Sequence, residues 1–243
     1  MNVDGIDVTY TDQGTGRPVL LLHGGGGPAT VAGFGALLAG QARVITPTHP
    51  GFQGTPRPDS LTTIAGLAAL YVRLIEELDL RDVTVVGNSI GGWITAEMAL
   101  LGSDRMSGVV LVDAAGLRIE SDPIVDFFSL TMEQVAQLSY YRPEAFPPPP
   151  PSPTMAGNRA ALAVYGGTPM DDPTLLGRLP GATVPALVVW GAADRIVPLA
   201  HGRAYAETLP NATLEVIAEA GHLPQLETPD TLLKLVSAFA GNQ

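Results

Sequence analysis

The chain has 243 residues, long enough to bury one sizeable core as a single α/β domain with an excursion attached. Acidic residues outnumber basic ones 24 to 13, for a net charge of −11 with no run of Lys or Arg, which argues against a nucleic-acid partner or an anionic membrane surface. The lack of cysteine excludes disulfides, thiol nucleophiles and thiolate metal sites.

Residues 1–17 are polar and Gly-rich, without the charged start and apolar run of a signal peptide. No stretch reaches about 18 uninterrupted apolar residues, so a soluble cytoplasmic protein is expected. "RPVLLLHG" (17–24) is the first apolar run that suits a buried strand, and it empties into "HGGGG". "RVITPTHPG" (43–51) is the second. In "SLTTIAGLAALYVRLIEELDL", Ile64, Leu67, Ala68, Tyr71, Leu74, Ile75 and Leu78 recur at three- and four-residue steps and predict an amphipathic helix. "DVTVVGNS" (82–89) is a third strand that stops on Gly87, Asn88 and Ser89 before a helix beginning at Ile90. "SGVVLVDAAG" (107–116) and "VPALVVWGAAD" (184–194) complete a set of continuous apolar runs of the kind found in parallel strands buried on both faces. "ATLEVI" is a further strand-like run, and "TPDTLLKLVSAFA" reads as the last helix, with Thr228 as N-cap and Pro229 at its first position. Strands alternating with helices predict an α/β fold with a mostly parallel central sheet and helices on both faces.

The alternation fails between residues 117 and 180. One short helix is predicted there, "TMEQVAQLSYY", with Thr131 and Gln134 forming a capping box, followed by a polyproline-like stretch at 146–153. More than sixty residues is long for a plain connection, so this span is expected to be a lid inserted into a core made of residues 1–116 and 181–243.

Gly87-x-Ser89-x-Gly91 suits a turn so tight that neighbouring side chains must be absent, which would hold the Ser89 hydroxyl clear of the sheet. A nucleophilic serine needs a base, a group that orients the base, and donors for an oxyanion. Each is on offer at a strand end: Asp194 in "GAADRIVP", His222 in "AEAGHLPQLETP", and bare backbone N–H groups in the glycine run 24–27. In an open α/β sheet the carboxyl ends of the strands share one edge, so these groups are expected to meet. Asp113, in "LVDAAG", competes with Asp194 because it also ends a strand. Of the four histidines, His23 and His49 are expected to brace loops and His201 to sit on a surface helix. No His pair has ligand spacing, so neither metal nor other cofactor is expected.

"LLLHGGGGP", "HPGFQGTPRP", "VGNSIGGW", "VVWGAADRIVP" and "AGHLPQLETP" each resemble, in order, a motif of the α/β-hydrolase-fold serine hydrolases, and the resemblance covers nearly the whole chain apart from the lid. It implies Ser89 as nucleophile, His222 as base, Asp194 as the acid that orients it, and the N–H groups of Ile90 and Gly25 as oxyanion donors, with Gly26 the alternative to Gly25. The implied activity is hydrolysis of a carboxylic ester or lactone of a small, rather apolar substrate. "HGGGGP", "GNSIGG" and "VPLAHG" are also similar to the carbon–carbon bond hydrolases that cleave ring-fission products of aromatic degradation, although Leu223 stands where those enzymes commonly carry Trp. Candidate pocket residues are Gly26, Trp93, Phe128, Tyr140 and Leu223, with core packing the expected role of Trp93; Phe127, Leu130, Tyr141 and Phe146 are further wall candidates in the lid. The lid arginines Arg118, Arg142, Arg159 and Arg178 are expected in solvent. The fold has also been reused for non-catalytic ligand receptors, but such a module has no physical need for Ser, Asp and His together. The sequence specifies no oligomeric state.

Overall fold

The computed structural model describes residues 1–148 and 150–241. A small antiparallel pair, β1 (Asn2–Val3) and β2 (Ile6–Asp7), precedes β3 (Tyr10–Gln13), and none of the three was predicted. The apolar runs form β4 (Pro18–Leu22), β5 (Arg43–Pro47), β6 (Val83–Asn88), β7 (Met106–Val112) and β10 (Ala186–Gly191), and "ATLEVI" forms β11 (Ala212–Ile217). The short strands β8 (Gly116–Leu117) and β9 (Asp171–Asp172) pair in parallel apart from the main sheet. The main sheet has seven strands in the order β11-β10-β7-β6-β4-β5-β3, with β3 antiparallel to β5 and all other neighbours parallel.

Both faces of this sheet are covered, which explains why its inner strands β4, β6, β7 and β10 are largely continuous apolar runs, whereas the edge strands β3 and β11 carry exposed polar residues. On one side α2 (Ile64–Glu77) and α3 (Ile90–Leu101) pack against Leu20, Leu22, Val85, Val109, Leu111 and Val188. On the other, α1 (Ala29–Leu38) and α9 (Pro229–Gly241) cover Val19, Leu21, Val86, Val110, Val112 and Val189. The predicted stripe of α2 is buried from Ile64 to Ile75, and the Thr63 side chain accepts from Gly66 N at its start. The last helix begins at Pro229 as expected, but the Thr228 hydroxyl donates back to Pro224 O, in the turn α8 (Pro224–Glu227), at 3.3 Å.

The 117–180 segment is more helical than the sequence suggested. The predicted helix is α4 (Met132–Ser139), and Thr131 and Gln134 form its capping box. A second helix, α5 (Pro153–Gly166), was missed: Ser152 accepts from Met155 N, Pro153 opens the helix and Gly167 closes it at φ 69°. The short α6 (Leu175–Arg178) follows, and then α7 (Leu199–Thr208) beyond β10. Pro147, Pro148, Pro150 and Pro151 carry no regular secondary structure; the expected extended run through Pro149 falls partly outside the described residues. Leu117, Leu162, Tyr165, Leu175 and Leu179 are buried in the same apolar cluster as α3, so the segment shares the main core. Among the described residues no helix is long and apolar enough to cross a membrane.

Candidate active site

Strand β6 stops where close backbone contacts force it to. A Cβ on Gly87 would stand 2.1 Å from Gly91 O, and one on Gly91 would stand 2.4 Å from Leu22 O, so both flanking positions admit only glycine. Between them Ser89 has φ 58° and ψ −119°, a region costly for a residue with a Cβ. Three backbone bonds hold it there: Ser89 N donates to Val112 O at 2.9 Å, and Ser89 O accepts from Trp93 N at 3.1 Å and Ala115 N at 3.2 Å. Ser89 thereby precedes α3, whose first N–H groups, beginning with Ile90, lack partners within the helix and carry its positive dipole end.

Ser89 and His222 line one cavity of about 240 Å³. His222 Nδ1 lies 2.7 Å from Asp194 Oδ2, and Asp194 Oδ1 accepts from Ile196 N at 2.8 Å and Val197 N at 2.9 Å. Asp194 is thus fixed by its own turn, and the pairing leaves His222 Nε2 as the free ring nitrogen. Among the described residues, no hydrogen bond joins Ser89 Oγ to the His222 ring. Asp113, the competing acid, makes no hydrogen bond to His222; its Oδ1 accepts from Gly191 N at 2.9 Å and its Oδ2 has no partner. Burial, followed by the neighbouring charge of Asp194, raises the Asp113 carboxyl well above the usual range.

The glycine run forms a turn closed by Gly27 N donating to Gly24 O at 3.0 Å, with Gly25 and Gly26 at its centre and both on the cavity wall. Beneath it lies a histidine brace. His23 Nδ1 donates to Gly24 O at 2.8 Å, and its Nε2 accepts from His49 N at 3.1 Å. His49 Nε2 donates to His23 O at 2.9 Å, and its Nδ1 accepts from Tyr71 OH at 2.6 Å. Both rings are fully buried and neutral, and burial lowers His23 well below the ordinary value and His49 to about 4.

Tyr140, Leu223 and Gly26 line the cavity, whereas two other candidates do not. Trp93 is buried, one helical turn beyond Ser89, and packs so closely under Gly116 that a Cβ there would stand 2.5 Å from its ring. Phe128 is turned away: Phe127 takes the inward position, and Phe128 meets it edge to face at 5.7 Å. Phe146 joins the wall, stacked on Tyr140 at 4.7 Å, while Leu130 and Tyr141 do not reach it. The arginine expectation fails for Arg159, which lines the cavity, with its guanidinium 4.8 Å from the Phe127 ring centroid and one nitrogen donating to Phe127 O at 2.9 Å. Arg178 is bound to the buried Glu97 of α3 and to Asp172, and Arg118 to Asp171. His201 is not on the surface; it faces inward from α7, with Nε2 donating to Asp122 O at 2.7 Å.

Three supporting residues were missed. Asn88 Nδ2 donates to His222 O at 3.0 Å and its Oδ1 accepts from Gln225 Nε2 at 3.0 Å, tying the end of β6 to the histidine loop. Its place inside the Gly-x-Ser-x-Gly motif was the available signal. Asn158, on α5, accepts from Gln53 N at 2.8 Å and donates to Gly26 O at 3.3 Å. Glu227 receives Gly221 N at 2.7 Å on one oxygen and Tyr141 N and Arg142 N on the other. Nothing local in the sequence marks the last two: both partners of Asn158 lie far away along the chain, and Glu227 ties nearby Gly221 to the distant Tyr141 and Arg142.

Residues 19–235 match the alpha/beta hydrolase family. Over 99% of its length the chain is 30% identical to the dihydrolipoyllysine-residue acetyltransferase component of the acetoin cleaving system of Cupriavidus necator, covering 68% of that protein. It is 29% identical to a 2-hydroxymuconate semialdehyde hydrolase of Pseudomonas putida, over 94% of this chain and 88% of that one. Among solved structures it is similar to a thermophilic esterase from Thermogutta terrifontis, with a TM-score of 0.78 and 24% identity over 97% of this chain and 93% of the other. The chain belongs to the alpha/beta hydrolase family.

Proposed function

We propose that the protein is a serine hydrolase that cleaves a carboxylic ester or lactone of a small, rather apolar substrate through an acyl-enzyme. The observation that carries this reading is the convergence on one cavity of Ser89, held on its constrained turn, and His222, whose second nitrogen is fixed on buried Asp194. In this mechanism His222 Nε2 takes the Ser89 proton as Oγ attacks the carbonyl carbon, and later returns it to the leaving group. Asp194 holds the tautomer with Nδ1 protonated and stabilises the imidazolium. The backbone N–H groups of Ile90 and Gly25 receive the oxyanion, with help from the dipole of α3. Residues 117–180 act as a lid, in keeping with the wall supplied by Phe127, Met132, Val135, Tyr140, Phe146 and Leu162. A cavity of about 240 Å³ with such a lining favours a small apolar acyl or ring group.

A second reading, carbon–carbon bond hydrolysis of a dienoic acid, draws support from Arg159 on the cavity wall and from the name of the Pseudomonas putida relative. One assay separates the two: p-nitrophenyl esters, lactones and a dienoic ring-fission product are offered to the wild type and to Ser89→Ala, alongside a fluorophosphonate probe. The expected result is single labelling at Ser89, abolished in Ser89→Ala and sharply reduced in His222→Ala, with ester or lactone turnover. Preferential cleavage of the dienoic acid selects the second reading. A folded wild type that resists the probe and turns over nothing removes both.

A further inference from the structure

Behind the proposed triad lies a second carboxyl group that the mechanism does not use. One oxygen of Asp113, one of Asp194 and one ring nitrogen of His222 all lie within 4.8 Å of one another, and Asp113 is fully buried. It is held in place from both sides, by Asp113 N donating to Val189 O at 3.0 Å and by Gly191 N donating to Oδ1. Its φ is 46°, so the position is specified at some backbone cost. Yet its second oxygen, equally buried, has no partner.

An ionised Asp113 would be a poor occupant of this site. One N–H bond does not compensate a buried carboxylate, and a second carboxylate within 4.8 Å adds like-charge repulsion. The titratable groups around it are Asp194, His222 and Glu227, with His201, itself lowered by burial, on the neighbouring helix; no Lys or Arg among the described residues pairs with Asp113 or Asp194. Asp194, for its part, has capacity to spare. It accepts Ile196 N–H, Val197 N–H and His222 Nδ1–H, three donors for about four acceptor positions on a carboxylate.

We infer that Asp113 is a neutral carboxylic acid that holds its proton toward the Asp194 carboxylate, and so serves as a positioning residue for the Asp194–His222 pair. The inference rests on the triad reading above. Its chemical consequence concerns the base: a neutral donor to Asp194 fixes that carboxylate and moderates its charge, whereas a second full negative charge beside it would favour the imidazolium over the neutral base. Burial raises the Asp113 carboxyl in the sense this assignment needs.

The test uses the pH dependence of fluorophosphonate labelling, which needs no knowledge of the natural substrate, for wild type, Asp113→Asn and Asp113→Ala. Asn reproduces the neutral acid: its oxygen accepts from Gly191 N and its amide donates to Asp194. We expect the acid limb of the labelling rate, where His222 loses its proton, to keep its midpoint in Asp113→Asn. Asp113→Ala should label about ten- to a hundredfold more slowly, and Asp113→Asn should recover most of that loss. If Asp113 is ionised instead, Asp113→Asn removes a neighbouring negative charge and the midpoint falls by about one pH unit or more, which overturns the inference. Equal losses in the two variants also overturn it. Infrared spectra at neutral pH give a readout independent of activity: the carbonyl stretch of a protonated carboxyl group is expected in the wild type and absent from Asp113→Asn, and its absence from the wild type refutes the assignment. A wild type that the probe does not label defeats the triad reading, and the infrared band then still decides the protonation of Asp113.

Discussion

Replacing Ser89 by glycine is expected to make the protein more stable than replacing it by alanine. Both changes delete the hydroxyl, but only alanine keeps a Cβ at φ 58° and ψ −119°. Holding a side-chain-bearing residue in such a region costs about 1–3 kcal/mol, and glycine removes that strain. Against this, glycine gives the unfolded chain about 0.4–1 kcal/mol more conformational entropy than alanine. The net expectation is Ser89→Gly above Ser89→Ala by about 0–2.6 kcal/mol. Urea denaturation measures this directly, provided the two variants share one m-value. In thermal melts each kcal/mol should appear as about 2–4 °C for a chain of this size. The three backbone bonds around Ser89 persist in both variants, so the comparison isolates the strain. A glycine variant less stable than the alanine variant would refute the claim that the serine is held in a high-energy conformation.

The histidine brace should make the fold sensitive to acid. A histidine whose folded pKa is depressed binds fewer protons folded than unfolded, so its contribution is complete above the unfolded value of about 6.5 and is lost as pH falls toward the folded value. For His49, lowered to about 4 by burial, that loss is about 3 kcal/mol between pH 6.5 and 4, and His23 adds to it in the same direction. Urea midpoints at pH 7.5, 5.5 and 4.5 should therefore fall steeply; a flat profile down to pH 5 contradicts the neutral, buried assignment. Arg178→Ala should strand Glu97, whose side chain is 7% exposed, but because the guanidinium is itself 39% exposed the loss should be about 1–3 kcal/mol rather than the larger cost of a fully buried pair. Adding Glu97→Met should recover part of the lost stability, and a double variant as unstable as Arg178→Ala would show that the ion pair is not the cause.

The elements visible in the sequence were those whose cause is local or periodic. Continuous apolar runs disclosed the buried strands, and the two glycines around Ser89 disclosed a constraint that the structure traces to Gly91 O and Leu22 O. Strand β3 escaped because it is an exposed edge strand of polar composition, Tyr-Thr-Asp-Gln, with no apolar pattern to read. Helix α5 escaped for a different reason: it is rich in Ala and Gly, and its Ser152-Pro153 start signal sits at the end of a proline run that reads as extended. The pocket wall was legible only in kind. Phe127 and Phe128 are adjacent and chemically identical, and which of them faces inward depends on tertiary packing. His201 sits on α7, whose Arg203 and Glu207 are exposed, but its own inward face is set by contact with other elements, among them the backbone of Asp122 from the 117–180 segment, and no sign of it appears in the sequence.

The joint between α4 and the histidine loop bears on how this protein could be re-engineered. His222 N donates to Ser139 O at 2.6 Å, Glu227 gathers amides from both sides, and a Cβ on Gly221 would stand 2.2 Å from Ser139 O. The loop carrying the imidazole is therefore moulded against the end of α4, and the two surfaces form a matched pair. A chimera that imports the 117–180 segment of a relative without residues 221–227 would bring an unmatched surface against that loop and misplace the ring. On the proposed reading of His222 and of the lid, rate and substrate preference would then change together, which makes these two stretches one unit of recombination. Variation confined to Pro147 and Pro148, which line the cavity, leaves this joint untouched and, on the proposed reading, offers the gentler route to altered selectivity.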